Sequence, residues 1–208
     1  MRPWDLVFVA GFVVYTATRG VFEQRCRGVA SQSRHLDGRE LALLGITAVG
    51  VVLLPALYLL SSWLDFAAVV LPPWVPWCGA CLMVAGLWLF WRSHRDLGAN
   101  WSVTLEVRVD HRLVDHGVYA RVRHPMYAAI FLFSIAQGLL LANWLAGWSA
   151  CVAFGVLYLL RVRREEGLML ATFGDAYAGY MRRTGRLWPR WGAESARQAA
   201  GARRDGEV

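Results

Sequence analysis

Hydrophobic and polar positions alternate on a coarse scale along this 208-residue chain: long uncharged runs are separated by arginine-rich stretches. Five apolar segments stand out, at 6–18, 41–61, 74–91, 125–141 and 144–160. The last two belong to one uncharged run of 36 residues, 125–160. A single helix of that length would extend about 54 Å, against a hydrocarbon core of about 30 Å. Folded back near Asn143, it makes two spans of about 17 residues, each just long enough to cross. The second span then returns to the side where the first began. Arg123 and His124 therefore come to lie beside Arg161, Glu165 and Glu166 at one membrane face. Polar groups converging at the mouth of an apolar hairpin suggest a site open to water on one side and to lipid on the other.

The pattern predicts an all-α, polytopic integral membrane protein with about five transmembrane helices. The first segment is short and flanked by Asp5 and Arg19. It lacks a basic n-region and a small-x-small cleavage site, so a retained helix is expected rather than a signal peptide. Arginine placement orients the spans. The stretches 19–40 and 92–124 and everything after Leu160 hold 21 of the 22 arginines, leaving Arg2 alone on the other side. This places the N-terminus outside and the C-terminus in the cytoplasm. Trp63, Trp74, Trp77, Trp91, Trp101 and Trp144 fall near span ends, as an interfacial aromatic belt would. The chain divides into a three-helix membrane region (1–92), a region expected to carry the chemistry (93–190) and a disordered tail (191–208). Within the second, 103–109 reads as a short extended segment in a long polar loop. Positions 168–183 read as an amphipathic helix or pair, with Phe173, Tyr177 and Tyr180 on one face.

Composition agrees: 57% of residues are hydrophobic, 18% are charged, and mean hydropathy is +0.36. All 22 basic residues are Arg, which excludes a Lys nucleophile or Schiff base. The formal charge of +7 follows the span ends and so does not call for nucleic acid as a partner. Cys78-Gly-Ala-Cys81 lies in an apolar run without a second pair or a nearby His at ligand spacing. It reads as a structural thiol pair, and no metal site is expected.

The candidate chemistry lies around the hairpin. Pro125 suits the first turn of a helix and pushes His124 toward extended backbone, leaving its ring at the membrane surface. Arg161 and Glu165, four apart, share one helix face at a span end. Ionisable groups at such depth usually face a cavity or a partner. An Arg there can hold an anionic group; a carboxylate can hold a cation, an ammonium or a hydroxyl. Gly117 before Tyr119 allows a tight turn.

In order, the residues read Leu113-Val114-x-x-Gly117-x-Tyr119-x-x-x-Arg123-His124-Pro125-x-Tyr127, the uncharged hairpin, Arg161-x-x-x-Glu165-Glu166, then Phe173-Gly174-x-x-Tyr177-x-x-Tyr180. This combination resembles the isoprenylcysteine carboxyl methyltransferases, within the wider group that includes phospholipid N-methyltransferases. The resemblance covers about residues 97–189. It implies a membrane enzyme that uses S-adenosylmethionine without a soluble nucleotide-binding fold. It further implies cofactor contacts from His111, Leu113, Val114, Tyr119, His124, Pro125, Met126, Tyr127 and Glu165. Arg161 matches the residue expected near the substrate carboxylate, the one position expected to act in catalysis. Thr104 stands where some members place a Gln contact, and Arg112 replaces a small polar residue. The expected acceptor is prenylated or lipid-like, bound among membrane lipids. A phospholipid amine headgroup is the near alternative, with Glu166 or His124 as base. An NADPH-dependent reductase of sterol-like or enone lipids shares an Arg-His-x-x-Tyr loop but usually has an acidic residue soon after that Tyr, where Ala128 and Ala129 stand. A non-catalytic scaffold is the remaining alternative. An all-Arg chain rich in Ala and Gly suggests a GC-rich genome, hence a bacterial inner membrane with the site facing the cytoplasm.

Overall fold

The computed structural model describes residues 2–26, 38–98 and 113–190. Thr104, His111, Arg112, the 103–109 segment and the 191–208 tail lie outside the described residues. Among the described residues five long helices make the fold: α1 (Pro3–Cys26), α2 (Gly38–Leu60), α3 (Val75–Leu97), α4 (Pro125–Leu140) and α5 (Trp144–Arg183). All but α4 are long and apolar enough to cross a membrane. The 16 residues of α4 rise about 24 Å. Leu6, Val13, Leu41, Val52, Val84 and Leu159 are exposed along these helices. Helices apolar on their outer faces as well as their inner ones need lipid around them, and the protein is an integral membrane protein.

Two helices exceed the sequence expectation. The first runs on through Arg19 to Cys26, where Phe22 packs on His94 with ring centres 5.0 Å apart. The fifth continues past Leu160 to Arg183, broken only at Gly174, whose φ of 51° leaves the helical region. The expected amphipathic segment 168–183 is therefore the continuation of a membrane helix. Residues 167–172 are mostly good helix formers, and nothing there stops the helix until Gly174.

The core joins α1, α3 and α4 through aromatic rings. Tyr15 lies 4.5 Å from Phe90 and 4.9 Å from Phe133, and Phe8 lies 6.2 Å from Phe133. Helices α3 and α4 approach closely at Gly86, where a Cβ would stand 3.2 Å from both the Ala129 carbonyl oxygen and the Leu132 Cβ. Small residues give membrane helices this backbone proximity.

The second helix is locked to the hairpin by a backbone defect. Residues Val49–Leu53 form a π turn, with the Leu54 N–H donating to the Val49 carbonyl. The next donor in that register would be Pro55, which has no N–H. The Gly50 carbonyl thus loses its helical partner. It accepts instead from Ser149 Oγ at 2.7 Å and Gln137 Nε2 at 3.2 Å. A carbonyl left unpaired in hydrocarbon would be strongly unfavourable, so one proline ties α2 to α4 and α5.

At the hairpin turn Asn143 caps α5. Its Oδ1 accepts from the N–H groups of Leu145 (3.1 Å) and Ala146 (2.9 Å). Its Nδ2 donates to the Leu64 carbonyl at 2.6 Å, and the side chain is fully buried. Substituting Asn143→Ala removes the cap and strands the Leu64 carbonyl. A loss of about 2–3 kcal/mol is expected, read as a lower unfolding midpoint in detergent.

Candidate functional site

After α5 the chain turns back and pairs with the segment that leads into α4. Arg123 N donates to the Gly185 carbonyl (2.8 Å), His124 N to that of Arg186 (2.9 Å), and Gly185 N to that of Arg121 (3.2 Å). This short pairing fixes His124 at the threshold of α4, with φ −122° and ψ 60°, and Pro125 occupies the first helical turn. The backbone is non-helical, as the proline requires. The ring does not stand alone at the surface, however; it is inserted between two carboxylates.

Those carboxylates, Glu165 and Glu166, are neighbours on α5 and face different partners. Glu165 Oε1 accepts from Tyr127 Oη at 2.6 Å and Arg161 Nε at 2.9 Å. His124 Nδ1 lies 3.7 Å from Glu165 Oε2. Glu166 is almost fully buried and holds two guanidiniums. Arg123 Nε donates to it at 3.1 Å, and Arg186 grips it through Nε and Nη2, the shortest contact being 2.6 Å. Arg123 also donates to the Met181 carbonyl at 3.0 Å and to that of Thr184. Glu166 thus joins the start of α4 to the chain beyond α5. Burial raises its carboxyl pKa, but His124 Nε2 at 3.4 Å, the Arg186 hydrogen bonds and the Arg123 charge outweigh it. The net effect lowers the pKa to about 2.

The turn before α4 is held by Asp96, which accepts from Val118 N at 2.9 Å. Gly117 has φ 58°, and a Cβ there would collide with the Asp96 carboxylate. Tyr180 Oη donates to the Tyr119 carbonyl at 2.7 Å, closing this turn against the end of α5. Burial pushes the Tyr177 hydroxyl up to about 12, so it stays protonated.

These elements surround a cavity of about 600 Å³. Leu113, Val114, Tyr119, His124, Pro125, Met126, Tyr127, Arg161 and Glu165 all line it. The expected cofactor contacts and Arg161 therefore line one cavity, with His111 outside the described residues. The aromatic face of Phe173, Tyr177 and Tyr180 lines it too, even though Gly174 breaks the helix between them. The sequence reading missed the opposite wall: Phe12, Tyr15 and Arg19 of α1, and Leu44, Thr47 and Val51 of α2. It also missed Glu40, whose Oε1 stands 3.5 Å from Arg161 Nη1. The α2 residues recur every three or four positions, a visible signal that nothing distinguished from lipid-facing periodicity. Glu40, an acidic residue directly before an apolar run, was the better clue.

Fold and site together define a polytopic α-helical membrane protein with a mixed charged and apolar cavity at one end of its helix bundle. Residues 79–171 match the isoprenylcysteine carboxyl methyltransferase (ICMT) family. The chain is 33% identical over 114 residues to the protein-S-isoprenylcysteine O-methyltransferase of Tribolium castaneum, covering 54% of this chain and 41% of that protein. With the enzyme of the same name from Homo sapiens it shares 32% over 133 residues, covering 60% and 47%. The chain thus spans less than half the length of these curated relatives. In fold it resembles the solved eukaryotic intramembrane Ras methyltransferase ICMT, with a TM-score of 0.56 at 23% identity over 91% of this chain and 68% of that one.

Glu166 lies beyond the apolar part of α5, and its folded-state pKa is below its ordinary value of 4.5. Its contribution to stability is therefore complete above that value and declines as pH falls toward about 2. Glu166→Gln is expected to destabilise the protein at neutral pH. The stability gap to wild type should narrow steadily below pH 4.5 in unfolding curves recorded across that range.

Proposed function

We propose that this protein is an integral membrane methyltransferase that uses S-adenosylmethionine to O-methylate a carboxylate on a prenylated or lipid-like acceptor. The observation that carries this reading is the Tyr127–Glu165–Arg161 constellation set in a cavity whose remaining walls are largely apolar. The match of residues 79–171 to the ICMT family supports the reaction class.

The cavity residues fit the cofactor. Its volume of about 600 Å³ is in the range of small-molecule sites. Glu165 offers a carboxylate for an ammonium, and Tyr127 and Tyr119 offer ring faces for a cation. His124 Nε2 is buried, with Glu166 Oε1 at 3.4 Å. We assign cofactor contacts to Leu113, Val114, Tyr119, His124, Pro125, Met126, Tyr127 and Glu165, with His111 outside the described residues.

Held by Glu165, His124 and Tyr127, S-adenosylmethionine would supply an activated methyl group for a carboxylate oxygen. No proton moves, because the acceptor is already ionised. The protein's part is position and exclusion of water. Arg161 orients the acceptor carboxylate, and its own guanidinium is fixed by Glu165. Phe12, Val51, Ile130 and Leu157 give the lipid part of the acceptor an apolar wall.

An amine acceptor would need a base. Glu166 is unsuited, since two arginines hold it ionised with a pKa of about 2, far from a poised proton acceptor. Of the two bases considered for an amine acceptor, this leaves His124. The topology that accompanies the reading has five crossings, the N-terminus outside, and the charged end at the cytoplasmic face of a bacterial inner membrane, where the arginines concentrate.

Calorimetry on detergent-purified protein tests the assignment. Wild type should bind S-adenosylmethionine, and Glu165→Ala and His124→Ala should each lose about tenfold or more in affinity. Unchanged affinity in both variants would overturn the site. Failure of folded wild type to bind, or stabilisation by NADPH instead, would overturn the cofactor.

A further inference from the structure

Glu40 lies in the first turn of α2 and does not line the cavity, yet its side chain is only 10% exposed. Among the described residues its Oε1 has no hydrogen-bond donor; its charged neighbour is Arg161 Nη1 at 3.5 Å. A buried carboxylate oxygen without a hydrogen bond is unfavourable unless a counter-charge holds it. Arg161 meets Glu165 through Nε, at 2.9 Å. One guanidinium therefore stands between two carboxylates supplied by two different helices.

The two contacts restrain Arg161 in different ways. Glu165 is one turn away on the same helix and fixes the side chain near its own backbone. The Glu165 contact by itself permits a swing of the guanidinium into a two-pronged pair with that carboxylate. Such a pair would neutralise both groups within the protein and turn the fork away from a ligand. Glu40 pulls on Nη1 from α2 and opposes that rotation. The contact is longer than the Glu165 bond, 3.5 Å against 2.9 Å.

We propose that Glu40 is a positioning residue for recognition of the acceptor's carboxylate, acting through Arg161. This rests on the carboxylate methyltransferase reading given above. Glu40 touches neither acceptor nor cofactor. It sets the direction in which Arg161 presents its charge.

The distinguishing probes are S-farnesyl cysteine with a free carboxylate and its methyl ester, titrated into the full-length protein in detergent. Wild type should bind the acid in preference to the ester. Glu40→Gln, nearly identical in shape, should weaken binding of the acid about tenfold while leaving ester affinity and S-adenosylmethionine affinity within about twofold. Glu40→Asp should recover part of the loss. In an Arg161→Gln background the Glu40→Gln change should add nothing. Wild-type acid affinity in Glu40→Gln would overturn the proposal. So would an equal loss for acid and ester, which would mark Glu40 as structural only. If wild type itself binds no acid, the carboxylate acceptor reading fails, and this inference with it.

Discussion

Glu165 and Glu166 stand just past the apolar part of α5, where an uncompensated carboxylate would be strongly unfavourable. The charged end of the bundle is organised around satisfying them. Because successive helical residues point about 100° apart, the two acids take different arginines. Glu166 collects Arg123 and Arg186, and so fastens the start of α4 to the chain leaving α5. Glu165 takes Tyr127 and Arg161, and so stays at the cavity wall. One acid holds the site together while the other faces into it. His124, placed between them by the Arg123 and His124 backbone pairing to residues 185–186, belongs to both halves.

The membrane-embedded part obeys the same rule of satisfied polarity by other means. Pro55 removes one backbone donor from α2, and the freed Gly50 carbonyl recruits Ser149 and Gln137. Asn143 serves the α5 N-terminus and the 61–74 connection at once, through Leu64. At the end opposite the cavity, Asp5 accepts from Tyr58 Oη at 3.3 Å and ties α1 to α2. These few polar contacts fix the helices that carry Phe12, Tyr15, Leu44 and Val51 into the cavity wall. The wall is therefore a consequence of where buried backbone groups find partners, and not of apolar packing alone, which in lipid has little preference of its own.

Much of this was legible in the sequence. The 36-residue uncharged run, too long for one crossing and carrying Asn143 near its middle, contained the hairpin. The spacing of Arg161 and Glu165, and the Arg123-His124-Pro125 step, contained one wall of the site. What was not legible depended on contacts far apart in sequence. Nothing local tells that Thr47 and Phe12 face the same cavity, because in lipid an inward apolar face and an outward one look alike. Nor could the sequence separate the roles of Glu165 and Glu166; that depends on Arg186 returning after the Gly174 break. The length of α5 was missed because the charges at 161–166 resemble the end of a span, whereas here they occur within a helix that continues to Arg183.

The central claim is that this cavity brings a lipid-borne carboxylate to a methyl donor. The most direct test is to incubate purified protein with methyl-labelled S-adenosylmethionine and S-farnesyl cysteine, and then treat the product with base. Label released as methanol by alkali marks a carboxyl methyl ester and is the expected result. Label that resists alkali, or that enters a phospholipid headgroup instead, would contradict the account.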